Sequence, residues 1–316
     1  MKASDLKAGI SVVIPVYNSE STIVELVARL EHVLTAFCSD FETILINDGS
    51  TDRSWSIICD LAHQHDRIFG INLTRNFGQH NAILCGIREA QYTTTVTMDD
   101  DLQHPPEAVP LLVEKLDEGY DVIYGTPREE KHDVWRNVAS VITKQVLQSI
   151  IGVEVGRMVS AHRAFRTEIR DAFADFHEPF VSIDVLLSWA TTRFAAVAVD
   201  RLERRQGKSN YSFSKLVSHT LNMLTGFTVT PLRLASIIGF LFTLLGVGVL
   251  AYVLFRYFTV GTTVAGFPFL ASIIAIFSGA QLFTLGVIGE YLARVYFHTM
   301  HKPVYVIREK VVHNER

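Results

Sequence analysis

Hydrophobic and polar positions alternate in two registers along the first 125 residues. Short apolar runs rich in β-branched residues predict strands at 11–16 (SVVIPV), 41–47 (FETILIN), 68–74 (IFGINLT), 93–98 (TTTVTM) and 121–125 (DVIYG). Between the first two lies STIVELVARLEHVLTAF, whose apolar residues Ile23, Leu26, Val27 and Leu30 recur at helical spacing and predict an amphipathic helix. Strand–helix alternation of this kind predicts an α/β domain, a mostly parallel sheet with helices on both faces. Ligands of such sheets bind outside the carboxyl ends of the strands.

The pattern changes after residue 230. Leu234–Phe255 is uncharged and, at about 22 residues, long enough to cross a bilayer; Phe267–Gly289, about 23 residues, has Gln281 and small hydroxyls as its polar members. The short segment between them predicts a hairpin with spans at about 234–256 and 267–289. Arg233 precedes the first span and Arg294, His298, His301 and Lys302 follow the second, whereas the connecting loop has Arg256 at its edge. That asymmetry predicts both termini and the N-terminal domain in the cytoplasm, on the inner (cytoplasmic) membrane. The segment FSKLVSHTLNMLTGFTVTPLR reads as an amphipathic helix lying on the membrane surface. The expected organisation is a cytosolic domain at 1–212, an interfacial helix at 213–232, a transmembrane hairpin at 233–292 and a cytosolic tail at 293–316.

Composition changes this picture little. The formal net charge of −4 gives no basic signature, so nucleic acid is not an expected partner. Three scattered cysteines, Cys38, Cys59 and Cys85, fit buried thiols rather than a disulfide or zinc framework. No apolar leader precedes the first strand, so no cleavable secretory signal is expected. A mean hydropathy of +0.23 comes from the two spans.

Candidate chemistry collects at one edge. YNSES follows the first strand, NDGSTD the second, RNFGQHN the third and DDDLQHPP the fourth. Each is also an ordinary turn sequence. Three adjacent acids, Asp99, Asp100 and Asp101, repel one another unless solvent or a divalent cation takes up their charge. No GxGxxG follows a strand and no GxxxxGK[ST] occurs, which removes the main support for dinucleotide oxidoreductases and P-loop NTPases.

VVIPVYN, NDGSTD, RNFGQH, DDDLQHPPE, GYDVIYGTPR and RRQGKSNYSFSKL, in this order and followed by the paired spans with GVIGEYLARVY, resemble the inverting GT-A glycosyltransferases of family 2 that load a sugar onto a polyprenyl phosphate. That group includes dolichol-phosphate mannose synthase and the bacterial undecaprenyl-phosphate glucosyl- and formamido-arabinose transferases. The resemblance covers about residues 10–308. It implies a GT-A (Rossmann-like nucleotide-sugar-binding) domain, a nucleotide sugar donor, a polyprenyl phosphate acceptor and Mg2+ or Mn2+. UDP is the preferred carrier, with GDP open; undecaprenyl and dolichyl acceptors both remain open. A homo-oligomer and a downstream flippase are further partners by analogy.

The family pattern Asp-x-Asp-x-Gln maps onto Asp99, Asp101 and Gln103, implying metal contacts for Asp101 and Gln103, with Asp99 in the metal shell or at the ribose. Asp100 stands where the family carries a small residue. It is grouped with the nucleotide-sugar residues, and strand alternation turns it toward solvent or a partner. Pro15, Tyr17 and Asp48 match the base-binding positions; the acid that usually follows Tyr-Asn is replaced by Ser19, with Glu20 next. Asn76 contacts the nucleotide sugar or braces its loop. Arg205, with Gly207 and Ser209, matches the loop that closes over the diphosphate, and Arg128 and Arg136 match acceptor-phosphate arginines. Arg163 and Lys208 are further cations, alongside Lys144 and Arg204, with a surface charge beside an anionic membrane as the alternative for each. Asp184, in FVSIDVLLSWA, is a base or a helix-cap or ion-pair residue. Because the acceptor is already anionic, the resemblance asks for cations more than for a base. Two alternatives are a non-catalytic scaffold and a polysaccharide synthase; the latter would need more spans and a Gln-x-x-Arg-Trp motif.

Overall fold

The computed structural model describes residues 6–128, 152–178, 181–200, 227, 229–260, 266–300 and 302–313. The chain divides into two compact units, Met1–Val217 with Lys302–Arg316, and Ser218–His301.

The first unit is built on strands β1 (Lys7–Val16), β2 (Phe41–Asn47), β3 (Ile68–Leu73), β4 (Tyr92–Thr97), β5 (Val122–Pro127), β6 (Arg163–Arg166), β7 (Phe194–Val199) and β8 (Ile307–Val311), in the sheet order β7-β5-β6-β4-β1-β2-β3-β8. The first five follow the expected runs closely. β1, β2, β3 and β4 are mutually parallel, and β7 runs parallel to β5. β6 is antiparallel to β4 and β5, and β8 is antiparallel to β3, so the sheet is mostly parallel, as expected, with these two strands reversed.

Helices cover both faces. On one, Ile23, Leu26, Leu30 and Leu34 of α1 (Ile23–Phe37), Ile58 of α2 (Ser54–Gln64) and Leu112 and Leu116 of α4 (Val109–Asp117) pack over Val12, Ile14 and Val96. On the other, α3 (Gln79–Glu89) lies so close that a Cβ at Gly86 would sit 2.4 Å from Val13 Cγ1 and 2.7 Å from Ile46 Cδ1. That contact requires glycine and sets the height of α3 over β1 and β2. Two further short helices are α5 (Val153–Met158) and α6 (Ile183–Ala190).

The chain reverses direction across the sheet between β1 and β4: β2 and β3 extend to one side of β1, and β4 lies on the other. The β1–β4 ladder ends at Val13 paired with Thr97, with one further bond from the Met98 amide to the Val13 carbonyl. Past that point the two strands part and open a crevice at their carboxyl ends, the place where α/β sheets bind ligands. Pro15 is tolerated in this central strand because its missing N–H faces the side on which β4 has already ended.

The segment expected as a tail returns to the sheet. β8 pairs with β3, the Thr74 amide bonds the Val306 carbonyl, and Lys310 pairs with Glu89 at 2.6 Å. Hydrophobic periodicity in IREKV is too weak to announce a strand; the open edge of β3 makes it one.

The second unit contains α7 (Thr230–Val260) and α8 (Gly266–Thr299). Phe242 meets Phe277 edge to face at 5.9 Å, Gly246 lies against the same ring, and Tyr291 reaches the Leu232 backbone, which makes the pair antiparallel. Their large apolar side chains are exposed (Phe240 62%, Leu282 68%), so these are not core helices of a soluble fold. Ser236, Thr243 and Thr284 turn their hydroxyls back to carbonyls one turn earlier, which satisfies them without water. The expected interfacial helix at 213–232 lies mostly outside the described residues; α7 begins within it, at Thr230.

Candidate active site

Four loops meet at the carboxyl edge, and hydrogen bonds join them in a closed circuit. Between the β1 and β2 loops, the Asn18 amide donates to Ser50 Oγ at 3.0 Å and the Thr51 amide donates to Asn18 Oδ1 at 2.8 Å. Asn18 holds φ +55°, a conformation that Asn tolerates better than most residues. Between the β2 and β3 loops, Asp48 accepts the Phe77 and Gly78 amides at 2.7 and 2.9 Å. Gly49, at φ +69°, lets that loop in: a Cβ there would lie 2.5 Å from the Asn76 nitrogen. From the start of α3, Gln79 Nε2 donates to Asp99 Oδ1 at 2.5 Å, reaching the β4 loop. The β4 loop returns to β1 through Asp100 Oδ2, which accepts the Tyr17 amide at 3.1 Å and Ser19 Oγ at 2.5 Å.

The three consecutive acids therefore have three different neighbours: Gln79 for Asp99, the β1 loop for Asp100, and Gln103 for Asp101. The expectation that Asp100 faces solvent is corrected. Strand alternation stops at Thr97, and the chain then turns tightly enough to put Leu102 at φ +58° while burying its side chain. A buried leucine in the left-handed region costs about 1–2 kcal/mol. That strain is held in the loop between Asp101 and Gln103. Burial pushes the Asp100 carboxyl above its usual range, against the opposing pull of Ser19 and the Tyr17 amide. Burial also raises Asp48, against its two amide bonds.

Asp101 accepts from the Gln103 amide nitrogen of the backbone at 3.1 Å and from Gln103 Nε2 at 2.6 Å. Both side chains are half-buried. Among the described residues no three His, Cys, Asp or Glu side chains converge as a self-contained metal cage. Asp101 and Gln103 each carry a hard oxygen; Gln103 here turns its Nε2 to the carboxylate, and a turn of its amide would bring Oε1 beside Asp101, a pair that fits Mg2+ or Mn2+ held jointly with a diphosphate.

The other expected residues are placed as follows. Pro15 is buried in β1, and Tyr17 exposes 46% of its surface while its amide is held by Asp100. Asn76 is exposed with its backbone against Gly49. Arg128 lies 3.5 Å from Asp200 on the surface. Arg163 is not an accessible phosphate-binding cation: it is buried on β6 and paired with Asp184 at 2.6 Å. Asp184, in the first turn of α6, also accepts Tyr124 Oη at 3.0 Å, so the ion-pair alternative describes it. Arg136, Arg205, Lys208 and Ser209, with Lys144 and Arg204, lie outside the described residues.

Several participants were not anticipated. Gln79 and Ser19 close the circuit. Arg75 stacks over the Phe77 ring at 4.5 Å. His104 and His162 lie buried behind the β4 loop, their rings 5.4 Å apart, and burial with the neighbouring His104 and Arg163 lowers His162 to about 3. Asn47 bonds Asn72 at 2.8 Å, and Asn72 bonds Glu309 of β8 at 2.9 Å. Asn near the carboxyl end of two largely apolar strands was a readable signal for that relay.

Residues 11–172 match the Glycosyl transferase family 2 domain. The chain is 37% identical over 306 residues to undecaprenyl-phosphate 4-deoxy-4-formamido-L-arabinose transferase of Enterobacter sp. (strain 638), across 96% of this chain and 93% of that protein. The enzyme of the same name from Klebsiella pneumoniae (strain 342) is also 37% identical, with the same coverage. Among solved structures, a mycobacterial protein superposes with a TM-score of 0.52 at 19% identity, over 69% of this chain and 73% of that one. Glucosyl-3-phosphoglycerate synthase from Mycobacterium tuberculosis, solved with Mn2+, uridine diphosphate and glucosyl-3-phosphoglycerate, gives 0.50 at 21% identity over 69% and 78%. At these identities the two structures establish the fold.

Proposed function

The chain belongs to glycosyl transferase family 2, and from that premise we propose a membrane-bound enzyme that moves a sugar from a nucleotide diphosphate sugar to undecaprenyl phosphate with inversion. The observation that carries this reading is the four-loop circuit around the β1–β4 crevice, on a chain that also bears two apolar helices of membrane-spanning length. In the reaction an oxygen of the lipid phosphate attacks the anomeric carbon as the bond to the nucleotide diphosphate breaks, and the bonding electrons leave with the diphosphate. A single displacement inverts the centre and needs no covalent enzyme intermediate.

Tyr17, Asp48, Pro15 and Asn76 are assigned to the nucleotide base and its surroundings. Asp99, Asp101 and Gln103 are assigned to the diphosphate, where Asp101 and Gln103 would hold the divalent cation. When bound, such an ion neutralises the departing diphosphate. The acceptor phosphate is ionised at neutral pH, so no residue has to deprotonate it. The locking of Asp184 by Arg163 and Tyr124 agrees with that. Arg128 and Arg136 are assigned to the acceptor phosphate, and Arg205 with Ser209 to the loop closing over the diphosphate, with Lys208 beside them. Holding two anions in line is the larger part of the catalytic demand. UDP is the proposed carrier, and the relatives' sugar, 4-deoxy-4-formamido-L-arabinose, is the first donor to test.

Single-turnover transfer from labelled UDP- and GDP-sugars to undecaprenyl phosphate, with Mn2+ or EDTA, tests this reading. A lipid-linked sugar that requires the cation, and that falls by about a hundredfold or more in Asp101→Ala, is the expected result. No lipid product from any donor would overturn it.

A further inference from the structure

We propose that Asp100 is a positioning residue, a latch that fixes the β1 loop carrying Tyr17 to the β4 loop carrying Asp99, Asp101 and Gln103. The inference rests on the reading above that these two loops bind the nucleotide and the diphosphate. β1 and β4 stop pairing at Val13 and Thr97, so beyond the crevice mouth no ladder holds their loops together. Asp100 Oδ2 spans the gap, taking the Tyr17 amide and the Ser19 hydroxyl on one oxygen.

Both ends of the latch are anchored. Ser19 is fixed at the head of α1: its carbonyl accepts the Thr22 and Ile23 amides, and its own amide donates to Ser54 Oγ at 2.9 Å. On the other side the left-handed, buried Leu102 holds the turn that follows Asp100. Tyr17 is thus pinned by its amide while its ring remains exposed. A carboxylate held by two donors gives a stronger tie than a neutral acceptor would.

Through Asp100 the diphosphate-side loop grips the base-side loop. The neighbouring Asp99 grips the start of α3 through Gln79, and the β4 loop is held from both sides.

The test compares full-length wild type, Asp100→Ala, Asp100→Asn and Ser19→Ala in detergent. Amide hydrogen exchange without ligand is read first. Asp100→Ala is expected to speed exchange at Tyr17 and its neighbours about tenfold, the factor lost with a charge-assisted hydrogen bond. Protection in β5 and β7 stays as in wild type. Asp100→Asn, whose amide oxygen can still accept, gives a smaller acceleration. UDP titrated in EDTA then binds Asp100→Ala about tenfold more weakly, and in turnover the donor KM rises more than kcat falls. Wild-type exchange at 17–19 in Asp100→Ala overturns the latch, and accelerated exchange with unchanged UDP affinity overturns its role in donor binding. If Asp100→Ala loses protection globally, Ser19→Ala decides: local acceleration supports the latch and none overturns it. Wild-type protein that binds neither UDP nor GDP overturns the donor reading instead, while the exchange data still decide the latch.

Discussion

Arg163 and Asp184 show how a charge that looks catalytic in a list of residues can be structural in place. The pair is buried, 2.6 Å apart and backed by Tyr124, whose phenol burial drives well above its ordinary pKa and so keeps a donor to the carboxylate. Removing one partner strands the other charge. Asp184→Ala is therefore expected to destabilise the domain by about 3–5 kcal/mol, whereas Asp184→Leu with Arg163→Met recovers most of it. Thermal melting in detergent measures both, and a single variant as stable as wild type would exclude the pairing. His162 makes a second prediction at this scale. The fold holds it neutral, with its pKa lowered from 6.5 to about 3. Below pH 6.5 the unfolded chain takes up a proton that the folded chain refuses, so this residue's share of stability is lost as pH falls toward 3. One proton corresponds to about 1.4 kcal/mol per pH unit, and His162→Phe should show a shallower fall in melting midpoint on acidification.

At the scale of elements, β8 is the least expected feature. It closes the outer edge of β3, ties Asn72 through Glu309 and brings Arg308 to the Thr74 carbonyl at 3.1 Å, next to the loop that Asp48 holds. An unpaired β3 edge would be open to solvent and to other strands. Deleting residues 306–316 is expected to lower the melting midpoint by on the order of 10 °C and to promote aggregation. An unchanged midpoint would make β8 a passive tail. The five parallel-register strands and α1 were legible because each is a run of strong period over a well-marked turn. β6, β7 and β8 were not, since RAFR, FAAVAV and IREKV are short or weakly patterned, and only their neighbours' open edges define them.

At the scale of the whole molecule, the chain leaves one compact unit, passes through two long apolar helices and returns to add a strand to the first. A segment that leaves and returns through an antiparallel pair of spans would keep the strands of the first unit on one side of the bilayer, and we propose from the basic residues at the span ends that this side is the cytoplasm. Membrane-impermeant maleimide applied to intact cells should label Thr262→Cys and leave Lys302→Cys unreacted until the cells are opened. The reverse pattern would invert the proposed orientation.

The amino-acid sequence by itself determined the first five strands, which segments can cross a membrane and which four polar clusters share an edge. These follow from local periodicity, length and composition, quantities that involve only near neighbours in the chain. The tertiary structure alone decided what each polar side chain does there. Asp100 turns to Ser19, Asp184 is spent on Arg163, and Glu309 reaches Asn72 across 237 positions of sequence. The physical reason is that a charge takes its role from the nearest donor and from its distance to water, and both are set by residues far away along the chain.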